Sequence, residues 1–422
     1  MSALYNTCKT SGNVSEVRRL IKKEKKKGRL ESIINEEDGR DGETPLTISL
    51  VMGHLEVAKV LMDEGGADPN KCLKRNGMSA LMLASNVNNL PIAQCLVRDG
   101  GASVNLAGRD GVTAVYLAFQ MNSLSVAQFL VDNGGRVNQA TSNGTTPLKV
   151  SSHQGHHEAV KLLLANGAMV DQADDVGFTP LIVSSQEGHQ VVVELLLAKG
   201  AKPDKADVNG VTPLIISSEG GHRNVVKLLL ASGAKVEQGD NHGFTPLITS
   251  SMNGHQAVVE LLLASGAKVD QANIVGNTPL LMCVMNGHHA VAKLLLAKGA
   301  NVDKANNEGA SPILLSSLRG QQEAVKLLLA HGAIADRAAN NGDTPLSVSR
   351  QMEHQEVAKM LLAAGSEEEG KGKAKKVCEK CGKRAERMSK CSICKLARYC
   401  SETCQREDWK EHKKSCKKPA AA

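Results

Sequence analysis

Seven cysteines and one histidine near the C-terminus stand at metal-ligand spacing: Cys378-x2-Cys381-x9-Cys391-x2-Cys394-x5-Cys400-x3-Cys404-x7-His412-x3-Cys416. Thiolate sulfur and imidazole nitrogen are the donors a structural zinc takes, four to an ion. Eight donors therefore suit two tetrahedral sites. Both would be closed, with no open position for a water, which is the chemistry of a scaffold and not of catalysis. One CxxC alone is weak. Two CxxC pairs followed by CxxxC and HxxxC within 39 residues are a strong signal. A segment so short and polar cannot fold on apolar burial alone and needs a staple. Spacing leaves the pairing open: consecutive fours, Cys378 to Cys394 and Cys400 to Cys416, fit the arithmetic as well as an interleaved set does.

With the residues between the ligands, YCSETCQREDWKEHKKSC at 399–416 above all, the segment resembles the MYND zinc finger. That resemblance implies an interleaved pairing, with Cys378, Cys381, Cys400 and Cys404 on one zinc and Cys391, Cys394, His412 and Cys416 on the other. It implies a protein-interaction module that takes proline-rich peptides of PxLxP type, with Ser392, Gln405 and Trp409 at the peptide-contacting positions. The residues support the choice independently. Gln405 and Trp409 are four apart and share a helix face, Trp409 is the only tryptophan in the chain, and an indole is a good seat for a proline ring.

The rest of the chain is periodic. Glycine opens each of ten units, at Gly42, Gly77, Gly111, Gly144, Gly177, Gly210, Gly243, Gly276, Gly309 and Gly342. The steps are 35, 34 and then 33 throughout, and eight units carry Pro three residues on, usually as Thr-Pro-Leu. A short helix from that Pro, a glycine break, and a second Val/Leu-rich helix ending in Leu-Leu-Leu-Ala-x-Gly-Ala follow. Pro suits the first helical position, where its missing N–H costs nothing. In the unit at Gly177 the pattern predicts helices from Pro180 to Glu187 and from Gln190 to Lys199. No unit can bury its own apolar face, so each needs neighbours. The pattern resembles the ankyrin repeat.

The expected fold is an all-α solenoid of ankyrin repeats, helix pairs with β-hairpin loops, followed by a small zinc-stabilised MYND finger. The expected domains are a solenoid over 1–365, an atypical first unit included, a charged linker over 366–376, the finger over 377–416 and a tail over 417–422. In the first unit Leu4 to Ser11 and Val14 to Ile21 read as a helix pair, and Lys22 to Arg29 as an insertion. The resemblance places partner binding on the hairpin tips and first helices, with Asp174, Phe178, Asp207, Asp240 and Phe244 at the tips of central units. Exposed aromatics are the usual energetic anchors, which singles out Phe178 and Phe244.

Two side-chain series recur. Thr-Pro-Leu is followed by Lys149, Ile182, Ile215, Ile248 and Leu281 where the ankyrin family usually has His, and then by serine pairs such as Ser184-Ser185 and Ser217-Ser218. The hydroxyls are read as bonding back to helix carbonyls. Seven histidines occupy one position at the start of the second helix: His54, His156, His189, His222, His255, His288 and His354. They read as a structural device, because successive copies lie one whole unit apart.

The formal net charge is +7. It is concentrated in 371–418, where 17 Lys and Arg face 6 acids; zinc thiolates would lower that local excess. Nucleic-acid binding through the basic finger, as part of a nuclear regulator, is the alternative reading. It is disfavoured because Tyr399 and Trp409 are the only aromatics there and form no stacking platform. No long apolar run or secretory leader is evident, which points to the cytoplasm or nucleus, no membrane insertion and reduced thiols at Cys8, Cys72, Cys95 and Cys283. No nucleophile elbow, phosphate loop or HExxH helix is present. The expectation is a non-enzymatic, monomeric adaptor or scaffold that binds proteins and holds two zinc ions.

Overall fold

The computed structural model describes residues 2–38 and 42–366, and beyond them the backbone of four two-residue strands. The chain divides into two compact units, 1–300 and 301–422.

In the first unit each central repeat is built by the same local chemistry. Thr179 caps its first helix, Pro180–Gln186, by accepting the Ile182 N–H at 3.2 Å. Thr212, Thr245 and Thr278 do the same for the helices that follow. A capping hydroxyl of this kind contributes about 1 kcal/mol. Gly188, at φ +72°, ends the helix. The second helix, Gln190–Ala198, stops one residue short of the pattern's reading. Gly200 at φ +84° turns the chain out, and the Ala201 N–H closes back on the Leu196 carbonyl at 3.0 Å. Val192, Val193 and Leu196 are buried, each contributing roughly 1.5–3 kcal/mol. First helices pack on first helices and second on second along the unit, so the core lies between repeats.

The N-terminal insertion is corrected. Lys22 to Lys26 continue the second helix, Val14–Lys26, and a third helix, Leu30–Ile34, follows. Lys and Glu are good helix formers, and ion pairs three apart, Glu16 to Arg19 at 2.5 Å and Glu24 to Lys27 at 3.7 Å, support the run. The predicted period missed it because the lysines have no apolar partners at helical spacing.

Three ladders tie one repeat to the next. The Nε2–H of His189, His222 and His255 donates to the carbonyls of His153, Gln186 and Glu219, at 3.0, 2.8 and 2.8 Å. Each acceptor ends the first helix of the preceding repeat, where helix carbonyls lack partners. The hairpin tips donate backward too: Val208 N–H to Val176 O at 3.2 Å, Asn241 to Asn209 at 2.9 Å and Ile274 to His242 at 3.1 Å. At the hairpin base, the N–H of Lys202, Lys235 and Lys268 meets Asp171, Asp204 and Glu237.

The serine pairs split. Ser184, Ser217 and Ser250 bond back to carbonyls of their own helix, as read from the sequence, while Ser151 reaches the Phe119 carbonyl one repeat away. Four of the second serines, Ser152, Ser185, Ser218 and Ser251, are buried with no hydrogen-bond partner among the described residues, whereas Ser317 donates to the Ile313 carbonyl at 2.7 Å.

The second unit continues the same repeat grammar in helices Pro312–Leu318, Gln322–Ala330, Pro345–Gln351 and Gln355–Ala363. His354 donates to the Leu318 carbonyl at 3.1 Å. Lys376–Val377 pairs antiparallel with Arg384–Ala385, and Ser389–Lys390 with Arg398–Tyr399. The fold is an all-α repeat solenoid followed by this small segment. Among the described residues no helix is long and apolar enough to cross a membrane.

Candidate functional site

The tip residues singled out from the sequence are held by their own turns. Asp174 Oδ1 accepts the N–H of Val176 at 3.2 Å and of Phe178 at 2.8 Å. Asp207 accepts from Asn209 and Val211 at 2.9 and 2.8 Å, and Asp240 from His242 and Phe244 at 2.9 and 2.8 Å. An aspartate that accepts N–H groups two and four residues on pins a tight turn. Glycine is required beside it: Gly177 sits at φ +87°, and a Cβ there would come within 2.8 Å of Asp207 Cα.

Lys149 is the departure that matters here. Its amine pairs with the second oxygen of Asp174 in the next repeat, both side chains being mostly buried. It also stands 6.0 Å from the centre of the Phe178 ring, a cation–π contact. Phe178 and Phe244 are both half-buried. Phe178 lines a cavity of about 380 Å³ with Thr145, Lys149, Val150, His153, Val183 and Gln186. The sequence signal for this site was Lys149 itself, at a place where neighbouring units carry buried Ile182, Ile215 and Ile248.

Exposed apolar side chains crown the tips: Val176 at 51%, Val208 at 61% and Ile274 at 63% exposure. Val208 escaped the sequence reading because a lone valine in a hairpin carries no periodic signal. Burial pushes Cys8 up to about 12 and Cys283 higher still, so neither is a thiolate at neutral pH.

The proposed zinc ligands, Cys378, Cys381, Cys391, Cys394, Cys400, Cys404, His412 and Cys416, and the peptide-contacting Ser392, Gln405 and Trp409, lie outside the described residues. The strands around them are described. Val377 pairs with Arg384 and Lys390 with Arg398. Each interval of sequence between paired strands contains one CxxC. A donor set of seven thiols and an imidazole, with two CxxC pairs among them, fits zinc.

Comparison with known proteins follows these two halves. A family model for ankyrin repeats in three copies matches residues 65–141, 133–207, 193–273 and 280–370, and one for a single ankyrin repeat matches 41–73. A MYND finger model matches 378–416. Among curated proteins, the human histone-lysine N-methyltransferase SMYD3 is 43% identical over 47 residues, 11% of this chain and 11% of that protein. Mouse histone-lysine N-methyltransferase Smyd1 is 48% identical over 40 residues, 10% of this chain and 8% of its own. Bovine N-lysine methyltransferase SMYD2 is 56% identical over 39 residues, 9% of each. This chain thus spans about a tenth of the length of the curated relatives it matches, and the likeness is to the finger and not to their catalytic domain.

Proposed function

The chain belongs to the ankyrin-repeat family and carries a MYND finger, a zinc-binding domain, and from that premise we propose an intracellular adaptor with two binding surfaces. Both modules mediate protein interactions. In this reading the repeats take one partner on the tips and first helices, and the finger takes a proline-rich peptide against Ser392, Gln405 and Trp409. The observation that carries it is the exposure of apolar Val176, Val208 and Ile274 on the tips of repeats that also hold the half-buried Phe178. The repeats leave this apolar surface uncovered while satisfying their own turns. Two zinc ions, interleaved, hold the finger. Strands Lys376–Val377 and Arg398–Tyr399 are neighbours, and the next residues in the chain are Cys378 and Cys400, which supports placing those two on one ion. The adaptor acts as a monomer in the cytoplasm or nucleus.

The test is partner capture by the full chain beside two variants: one lacking residues 377–416, and one with Trp409→Ala and Gln405→Ala. Two partner sets are expected, one lost only with the finger. PxLxP peptides should bind the intact finger and not the double variant, while metal analysis still returns two zinc ions. An intact finger that ignores those peptides at millimolar concentration overturns its half of the proposal.

A further inference from the structure

We propose that the tips and first helices between Asp174 and Met252 dock a cationic segment of a partner protein, one that also carries an apolar side chain. The inference rests on the repeats being the partner-binding half and adds the chemistry of what they bind.

The argument begins with charge that the fold does not need. Asp207 and Asp240 each use one oxygen to accept the turn's N–H groups, and the second oxygen of Asp207 takes only a long 3.5 Å bond from the Asn209 amide. In later repeats the same position is Asn, and the amide oxygen performs the same task. Asn273 accepts the N–H of Val275 and Asn277 at 3.2 and 2.9 Å, and Asn306 those of Glu308 and Ala310 at 3.1 and 3.0 Å. The turn requires an acceptor and not an anion, so the charges at 207 and 240 are surplus to folding.

Among the described residues that surplus is not neutralised. Asp175 and Glu219 are exposed nearby, on the preceding tip and at the end of helix Pro213–Glu219. Among the described residues none of Asp175, Asp207, Asp240 and Glu219 has an ion-pair partner. Three of the cations close in sequence are engaged elsewhere. Lys149 is held by Asp174, Lys205 Nζ donates to the Asp171 carbonyl at 2.6 Å, and Lys235 faces Asp204 at 3.9 Å.

The same face is apolar between its acids. Val176 and Val208 are joined by the backbone bond of their tips, which fixes their spacing. The cavity beside Phe178 offers a recess for a side chain. An acidic segment laid here would be repelled at every tip. A neutral one would fill the recess and leave the acids unpaired. A lysine- or arginine-bearing segment with an apolar anchor satisfies both, and surface charges complementary across an interface favour encounter and register.

The probes are three labelled peptides sharing the same leucines, with lysine, glutamine or glutamate between them, titrated against the full chain by fluorescence anisotropy. The variant is Asp175→Asn, Asp207→Asn and Asp240→Asn together, which keeps the turn acceptors, with a thermal melt to check the fold. The lysine peptide is expected to bind most tightly. The variant should weaken it roughly tenfold at low salt, and less at physiological salt, where the Debye length is about 8 Å. Phe178→Ala should weaken it further. The glutamate peptide, drawn to the basic 371–418 stretch, should not respond to the triple variant. Lysine-peptide binding unchanged by the variant overturns the proposal, as does no binding of any probe. If the glutamine peptide binds equally well and responds only to Phe178→Ala, the docking face stands and its cationic partner falls.

Discussion

A repeat and the finger face the same shortage and meet it differently. Neither holds enough apolar surface to fold alone. The repeat at 177–209 borrows its neighbours: its buried Val192, Val193 and Leu196 and its histidine, tip and hairpin-base bonds all serve the joint between repeats. The finger segment has paired strands only two residues long and borrows metal instead. Stability in the repeats is thus spread over many small, similar contributions, whereas in the finger it sits on a few ligands. The difference implies that the repeats tolerate local damage and the finger does not.

Metal removal is the strongest way to break that contrast. Zinc binding in small closed modules amounts to about 10–16 kcal/mol and is also the folding energy. A strong chelator should therefore unfold 377–416 and leave the far-ultraviolet helical signal of the repeats in place. Cys391→Ser or Cys400→Ser should lose one ion of two, read by metal analysis. Loss of the helical signal together with the metal would show that the repeats depend on the finger after all.

Within the repeats the largest expected effect is at a joint. Gly221 has φ +73°, and a Cβ there would lie 2.6 Å from the His255 ring of the next repeat. Gly233 has φ +86° with nothing within 4 Å. Gly221→Ala therefore adds a clash to backbone strain, for about 3 kcal/mol, whereas Gly233→Ala suffers strain alone, about 1 kcal/mol. Denaturant melts of the two variants measure the joint directly. Equal losses would mean that the histidine ring moves aside freely and the repeats are less tightly coupled than the ladder suggests.

These joints were only half readable in the sequence. The Gly-x-Thr-Pro-Leu spacing revealed the repeats and their helices to within a residue or two, because capping, Pro at the first turn and glycine breaks are local chemistry. The histidine column was recognised as structural, but its acceptor lies 36 residues back, beyond any local pattern. The tip aspartates were read for partner binding, and their role in pinning the hairpins emerged only from the N–H groups of Val176, Phe178 and Val211 folding back on them. In the finger, residue type and spacing nominate the ligands. They leave the pairing open, since spacing does not encode how distant stretches of chain meet.

The histidine ladder gives the next effect down. His222→Ala removes one bond between repeats, and the freed Gln186 carbonyl, beside exposed side chains, can turn to water. The loss should be about 1 kcal/mol. His222 also covers Gly188, where a Cβ would approach its ring to 2.5 Å. Adding Gly188→Ala to His222→Ala should then cost less than Gly188→Ala does alone, a coupling that a double-mutant cycle detects. Strict additivity would show that ring and glycine do not touch in solution.

The smallest effect should be a gain. Ser218 is buried with its hydroxyl unpartnered, and the equivalent place in the repeat at Gly276 is held by Val284, fully buried. The slot is therefore apolar in character, and the serine brings to it a polar atom whose desolvation nothing offsets. Ser217, one residue earlier, bonds the Leu214 carbonyl at 3.3 Å, as Cys283 does the Leu280 carbonyl in the valine-bearing repeat. Ser218→Ala should raise stability by about 1 kcal/mol at most, because the lost hydroxyl had no bond and the cavity left is smaller than a methyl group. Ser217→Ala should lower it by a similar amount. Opposite signs for adjacent serines in paired denaturant melts would confirm that the repeats are tuned atom by atom along the joint. A loss at Ser218 as large as that at Ser217 would mean that its hydroxyl finds a partner in solution, and the second serine column would become part of the coupling between repeats.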